Sequence, residues 1–335
     1  MRTQKKPLPL VGPITYYLPI KKNGCPDMVG LKGELALIAR AELRIIRGEF
    51  EGMDRFYAAI RKDGRNFLTA AGIAIFGAVG SNDPLLFDAV IKDIDAYPSR
   101  YGTPEARIAA EIVMEWVRNF LRAPLMCPER LVKLDLAPIP GEWRRQVAYL
   151  GVMCLQRRGE YRAAEVLADA LLNLDAEKEV KSSAADVYLK KAKAMICREE
   201  GRLEEAEKWC RAVVESAKPL GIVLPFLGVV MGPKSAMERA LASEAPKLLA
   251  KVKKLTNGYF RNLVKYHNRY TGEKVSEDLT PREFYLAQCL KAGLRYKEIA
   301  ERMGIAEGRV HNMAVAIYET LGIKCRAKIG NQVWH

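Results

Sequence analysis

Three times the chain places a glycine, one further residue and a large apolar side chain between two helical stripes: Gly48-Glu49-Phe50, Gly159-Glu160-Tyr161 and Gly201-Arg202-Leu203. Before the last of these, Ala185, Tyr188, Leu189, Ala192, Met195 and Ile196 step by three and four, and after it Leu203, Ala206, Cys210, Val213, Val214 and Ala217 do the same. Ala163, Leu167, Ala170, Leu171 and Leu174 follow the second turn, and Leu43, Ile46, Phe56 and Ile60 flank the first. A helix striped on one face must bury that stripe, and a tight glycine turn folds it back on the helix before it. Weaker turns near Gly80-Ser81-Asn82-Asp83-Pro84, Ala123-Pro124 and Gly232-Pro233 extend the series with steps of 31 to 43 residues, a period that fits two helices per repeat. Small residues at the crossings (Ala163, Ala192, Ala206) let the paired helices approach. The chain is therefore expected to be all-α, with a helical-hairpin array over residues 31–244; a non-repeating bundle is the alternative. An array offers a concave binding face and no chemistry of its own.

At 335 residues, with 49% hydrophobic and 28% charged side chains, the chain has the composition of two or three folded domains. No stretch is long and apolar enough for a membrane span, and Pro7, Pro9 and Pro13 interrupt the start where a leader's apolar region would lie. The first thirty residues, with the β-prone run Ile14-Thr15-Tyr16-Tyr17-Leu18, read as an extended lead-in. Seven widely spaced cysteines (25, 127, 154, 197, 210, 289, 325) fit free thiols in a cytoplasmic protein, with no disulfide frame and no metal site. Three histidines leave little for His-based catalysis.

The net charge of +14 is uneven. From Ala245 to the end, 17 Lys and Arg face 8 Asp and Glu, a net +9. Between Lys247 and Lys274 eight basic residues face Glu273 alone. Such a block suits a polyanion, nucleic acid before an anionic membrane. A solvated helical linker over 245–278 fits the charge equally well. Within it Lys265-Tyr266-His267-Asn268-Arg269-Tyr270 interleaves basic and aromatic residues, and Lys265 and Arg269 are candidates for lying along a phosphate backbone.

Residues 279–335 carry the sharpest signal. Thr280, Pro281 and Glu283 write a capping box with proline at the first helical position. A helix from there stops at Gly293; a second, Tyr296 to Met303, stops at Gly304; a third runs from about Glu307 to Leu321; Arg326 to Val333 suits a fourth. The string "LTPRE…AGLRYKEIAERMGIAEGRV…ETLGIKCRA" resembles the LuxR-type (GerE-like) helix-turn-helix, whose usual form is LTxRE, a glycine, NKEIAxxLxIS, xTV, KLxV and xxR. The resemblance implies that the third helix enters the major groove of double-stranded DNA. It puts base reading on Arg309, His311, Asn312 and Val315, and phosphate contact on Lys297, with Arg295, Lys324 and Arg326 as further phosphate candidates.

The turn regions around Gly159 and Gly48 resemble tetratricopeptide repeats (TPR), without that family's tryptophan and closing proline. A TPR-like array followed by a LuxR-type domain resembles the C-terminal half of MalT-like regulators, whose ATP-binding module has no counterpart in these residues. The expectation is a shortened bacterial transcription regulator. Its array senses a small inducer or a regulatory protein, it needs no cofactor or metal and touches no membrane, and homodimerisation stays open. His311 and Val315 stand where the family usually has basic or polar side chains, and Glu307, Arg309 and Glu319 leave the third helix at −1. The alternative is therefore a protein-interaction adaptor whose helix-turn-helix no longer reads DNA sequence. No enzyme constellation is present: Gly228–Ser235 resembles a phosphate loop but has the wrong spacing and a proline at position 233.

Overall fold

A computed structural model describes residues 31–60, 66–137, 139, 141–176, 184–227 and 235–334. The expected lead-in, Cys25 and the Gly228–Lys234 stretch lie outside the described residues. Helices account for all the regular structure described, and no strand is present among those residues. No helix among them is long and apolar enough to cross a membrane. The chain divides into two compact units: one holds the described residues up to Phe120 and Pro124–Leu224, the other Leu121–Ala123 with Pro225–His335.

The first unit contains α1 (Gly33–Ile46), α2 (Met53–Ala58), α3 (Phe67–Ser81), α4 (Pro84–Tyr101), α5 (Pro104–Phe120), α6 (Glu129–Val132), α7 (Gly141–Arg157), α8 (Tyr161–Ala176), α9 (Ala184–Glu199) and α10 (Leu203–Ala217). α3 is apolar on nearly every side and buried accordingly, packing on α1, α2, α4 and α5. It offers a groove of small residues. A Cβ added at Gly77 would stand 2.2 Å from Met53 Cγ, and one at Gly80 2.1 Å from Phe50 Cγ. Phe50, the large apolar residue of the first repeated turn, thus lies flat on the glycine of another helix.

Gly48, Gly159 and Gly201 all adopt φ +76. At each, the N–H of the next residue returns to a carbonyl five residues back: Glu49 to Arg44, Glu160 to Leu155 and Arg202 to Cys197. This is the Schellman closure, and only glycine adopts that φ without strain. The turns therefore end α1, α7 and α9 in the same way. α7, α8 and α9 share a core of Ala148, Val152, Leu155, Ala164, Ala168, Leu171, Leu189, Ala192 and Ile196.

The face of α8 differs from the expected stripe. Ala164, Ala168 and Leu171 are buried, whereas Ala163 and Ala170 are exposed and Leu174 is 58% exposed. Leu203 is also exposed, at 64%. Both sides of α8 carry small and apolar residues, so neighbouring helices rather than periodicity select the buried one.

The second unit contains α11 (Ala236–Glu244), α12 (Pro246–Thr271), α13 (Pro281–Lys291), α14 (Tyr296–Met303) and α15 (Glu307–Thr320). The basic segment belongs to this unit, because Phe260 and Val264 of α12 join Phe284, Leu286, Leu290, Ile299, Met303, Val310, Ala314 and Ile317 in one core. His267 is fully buried: Nδ1 donates to the Leu121 carbonyl at 3.0 Å, and Nε2 lies 3.2 Å from Glu273 Oε2. Arg326–Val333 is not a fourth α-helix. It forms two 3-10 turns, Arg326–Lys328 and Gly330–Gln332, broken by Gly330 at φ +51. Ile329 and Val333 enter the core, while Gln288 and Lys291 donate to the Trp334 and Val333 carbonyls at 3.2 and 2.9 Å.

Candidate nucleic-acid interface

The capping box at α13 is made. Glu283 N–H reaches Thr280 Oγ1 at 3.3 Å, and Glu283 Oε2 accepts from Thr280 N–H at 2.9 Å. α14 has no side-chain cap from Arg295, but Glu298 reaches back to the Arg295 N–H at 2.6 Å. α15 starts after Ala306 without any side-chain cap. Both α13 and α14 pack on α15 and fix its orientation.

α15 buries Val310, Ala314 and Ile317. At 100° per residue the opposite face is Gly308, Asn312, Val315 and Glu319, with Arg309 and His311 flanking it. All six are exposed. The four candidate base readers are therefore all turned away from the core, Asn312 and Val315 centrally and Arg309 and His311 on the two flanks, about 160° apart, with Val315 44% exposed. Nothing surrounds Gly308 within 4 Å of an added Cβ, so the N-terminal end of this face is open. His311 meets Tyr296 of α14 edge-on at 5.8 Å, next to Lys297. Arg295, Lys297, Lys324 and Arg326 are exposed as well. Arg295 and Lys297 sit at the start of α14, and Lys324 and Arg326 follow the end of α15.

One residue of the motif has a role that sequence reasoning missed. Arg282, in the first turn of α13, is half-buried, and its Nε and Nη2 make no hydrogen bond. Burial, then the neighbouring Arg309, hold its guanidinium below its ordinary value, while Glu238 of α11 acts in the opposite sense. Arg282 and Arg309 are thus like-charged neighbours. Only its place in the LTPRE string signalled it; its neighbours come from distant parts of the chain.

α12 carries a second cationic surface. Lys247, Lys251, Lys254, Arg261, Lys265 and Arg269 recur by three, four or seven residues and fall within about 40° of one line along the helix. Gly258 occupies the one gap in the series. The opposite side holds Val252, Thr256, Tyr259, Phe260 and Leu263, all buried. Lys253, off this line, is paired with Glu238 at 2.6 Å.

In the first unit two cations, Lys193 and Arg202, gather acidic partners. Lys193 is buried against Asp169 and Glu165, with its ammonium 4.4 Å from the Trp209 ring centre. Arg202 joins Glu165, Glu200 and Glu205. These contacts occupy Glu205. An open depression beside them is lined by Arg202, Leu203, Lys208 and Trp209.

No known family model matches the chain, and no curated protein or solved structure matches it.

Proposed function

We propose that this chain is a DNA-binding transcription regulator: a TPR-like array senses a small inducer or a regulatory partner, and a LuxR-type helix-turn-helix contacts the major groove. The observation that carries the reading is the outward face of α15. A helix held by two others presents Arg309, His311, Asn312 and Val315 clear of the core. Arg309 suits guanine, Asn312 suits adenine, and Val315 suits a thymine methyl. Lys297, Arg295, Lys324 and Arg326 supply phosphate contacts that hold register.

The cationic line on α12 supports the same partner. From Lys247 to Arg269 it spans about 33 Å at 1.5 Å per residue, close to one turn of B-DNA at roughly 34 Å. The repeated glycine closures at positions 48, 159 and 201 support the array reading. The cysteines described at 127, 154, 197, 210, 289 and 325 are thiols rather than disulfides, which accords with a cytoplasmic setting.

The test is selection of genomic fragments by the full-length protein near physiological salt, followed by a salt titration. A regulator recovers a few sites sharing a short motif. Lys297→Ala then weakens all sequences alike and lowers the salt slope by about 1, whereas Arg309→Ala costs about 1–3 kcal/mol at one base position.

One observation favours the adaptor as a second reading. Glu319 lies within the outward face of α15, and Arg309 is that helix's sole Lys or Arg. Uniform recovery of all fragments, lost as salt rises, selects that reading.

A further inference from the structure

The first unit holds a group of side chains that the DNA reading does not use. Glu115 of α5 is fully buried. Its Oε2 accepts from Arg118 at 3.1 Å and its Oε1 from the Cys127 backbone N–H at 2.9 Å. The second bond ties the loop after α5 to that helix and brings Cys127 beside Cys154 of α7, itself 0% exposed. The two sulfurs and a Glu115 carboxylate oxygen lie within 4.8 Å of one another. Cys127 adopts φ +43, which costs a non-glycine residue about 1 kcal/mol or more and persists where surrounding contacts impose it.

We propose that Glu115, Cys127 and Cys154 form a binding site for one thiophilic divalent cation, Zn²⁺ before its d¹⁰ relatives. Two thiolates and the carboxylate outweigh the Arg118 guanidinium and Arg157, which also acts on Cys154, so a dication offsets the negative charge of a buried site, as low dielectric favours. Sulfur ligands select zinc or cadmium over magnesium or calcium, which take oxygen. Metal–sulfur bonds of about 2.3 Å at the tetrahedral angle need the sulfurs about 3.8 Å apart. Cys127, on a loop, can adjust to that spacing. It is also only partly buried, which gives the metal an entry and leaves the fourth position to water. On binding, the two thiol protons pass to solvent and two metal–sulfur bonds form.

The other such group among the described residues, Glu165, Cys197 and Glu205, offers one thiol rather than two and has Arg202 on both its carboxylates. The proposal is independent of whether the chain binds DNA.

The test uses the full chain, reduced and stripped of metal. Zn²⁺ is titrated against a chromophoric chelator, and Cd²⁺ is added to read thiolate-to-metal absorption. The expected result is one tight equivalent, release of about two protons per metal, and thiolate absorption with cadmium. Cys127→Ser and Cys154→Ser each remove the tight equivalent, and Cys210→Ser keeps it. In the unmutated protein Zn²⁺ slows alkylation of Cys127 by a maleimide, read by peptide mass, which holds the test open if a serine variant fails to fold. Absence of a tight equivalent overturns the proposal, as does one that survives both serine variants, unchanged alkylation of Cys127, or a Cys127–Cys154 disulfide with which zinc does not compete.

Discussion

Replacing Gly80 by alanine sets two effects of known size against each other. Alanine favours the helix over glycine by at most about 1 kcal/mol. The new Cβ, however, stands 2.1, 2.3 and 2.5 Å from Phe50 Cγ, Cδ1 and Cδ2, against ordinary carbon contacts of about 3.5–4.0 Å. The ring must retreat by more than an ångström, and Phe50 is only 7% exposed, so little open space receives it. Overpacking of this kind costs about 1–3 kcal/mol, and a contact with three ring carbons belongs at the upper end. The net expectation is a loss of about 1–2 kcal/mol. Amide hydrogen exchange read peptide by peptide measures it. Peptides of α1–α5 should exchange about 5–30-fold faster, with α12 as the internal reference. Adding Phe50→Leu should recover part of the loss, a departure from additivity expected for residues in contact. Unchanged or slower exchange in Gly80→Ala, or simple additivity in the double variant, refutes the account of the groove.

Thr280→Ala removes one half of the capping box at α13 and should cost about 1 kcal/mol, seen as faster exchange in α13 with α3 unaffected. Tyr57→Phe deletes the 2.8 Å hydrogen bond to Asp93, at a cost of about 1–3 kcal/mol. Burial, then that bond, push the Tyr57 phenol far above its ordinary range. It therefore stays a donor, and the cost should be the same by urea unfolding at about pH 6 and about pH 9. Glu205 is held below the usual carboxylate range, chiefly by its hydrogen bond with Arg202. The folded chain thus binds fewer protons there than the unfolded one, so the stabilisation is present at neutral pH and lost as pH falls through the carboxylate range. Arg202→Ala should flatten that part of the acid unfolding profile; a profile as steep as the original would count against the Arg202–Glu205 link.

The helices of the C-terminal segment were legible because their signals are local. Pro281 with Thr280 and Glu283, Gly304 and Gly322 mark boundaries with no help from distant residues, and α14 runs from Tyr296 to Met303 as its sequence implies. The glycine closures at 48, 159 and 201 were legible for the same reason. The buried face of α8 was not, because Ala163, Ala164, Leu167, Ala168, Ala170 and Leu171 cover an arc of about 160°, within which the buried side can turn either way. Arg282 and the Cys127–Cys154 pair were hidden by distance along the chain. The first depends on Arg309 and Glu238; the second joins residues 27 positions apart through a loop held by Glu115. Arg326–Val333 misled because its apolar spacing serves two short turns as well as a helix, and the carbonyls taken by Gln288 and Lys291 decided the outcome.

Leu121–Ala123 belongs to the second unit although more than a hundred residues separate it from Pro225. A fragment cut at Pro225 would therefore carry the helix proposed to read the groove but not the whole of its scaffold. Leu121 and Ala123 would leave their buried places, and the His267 imidazole would lose the carbonyl it now meets at 3.0 Å. Dissection at the most obvious point in the sequence removes a part of the very domain it is meant to isolate.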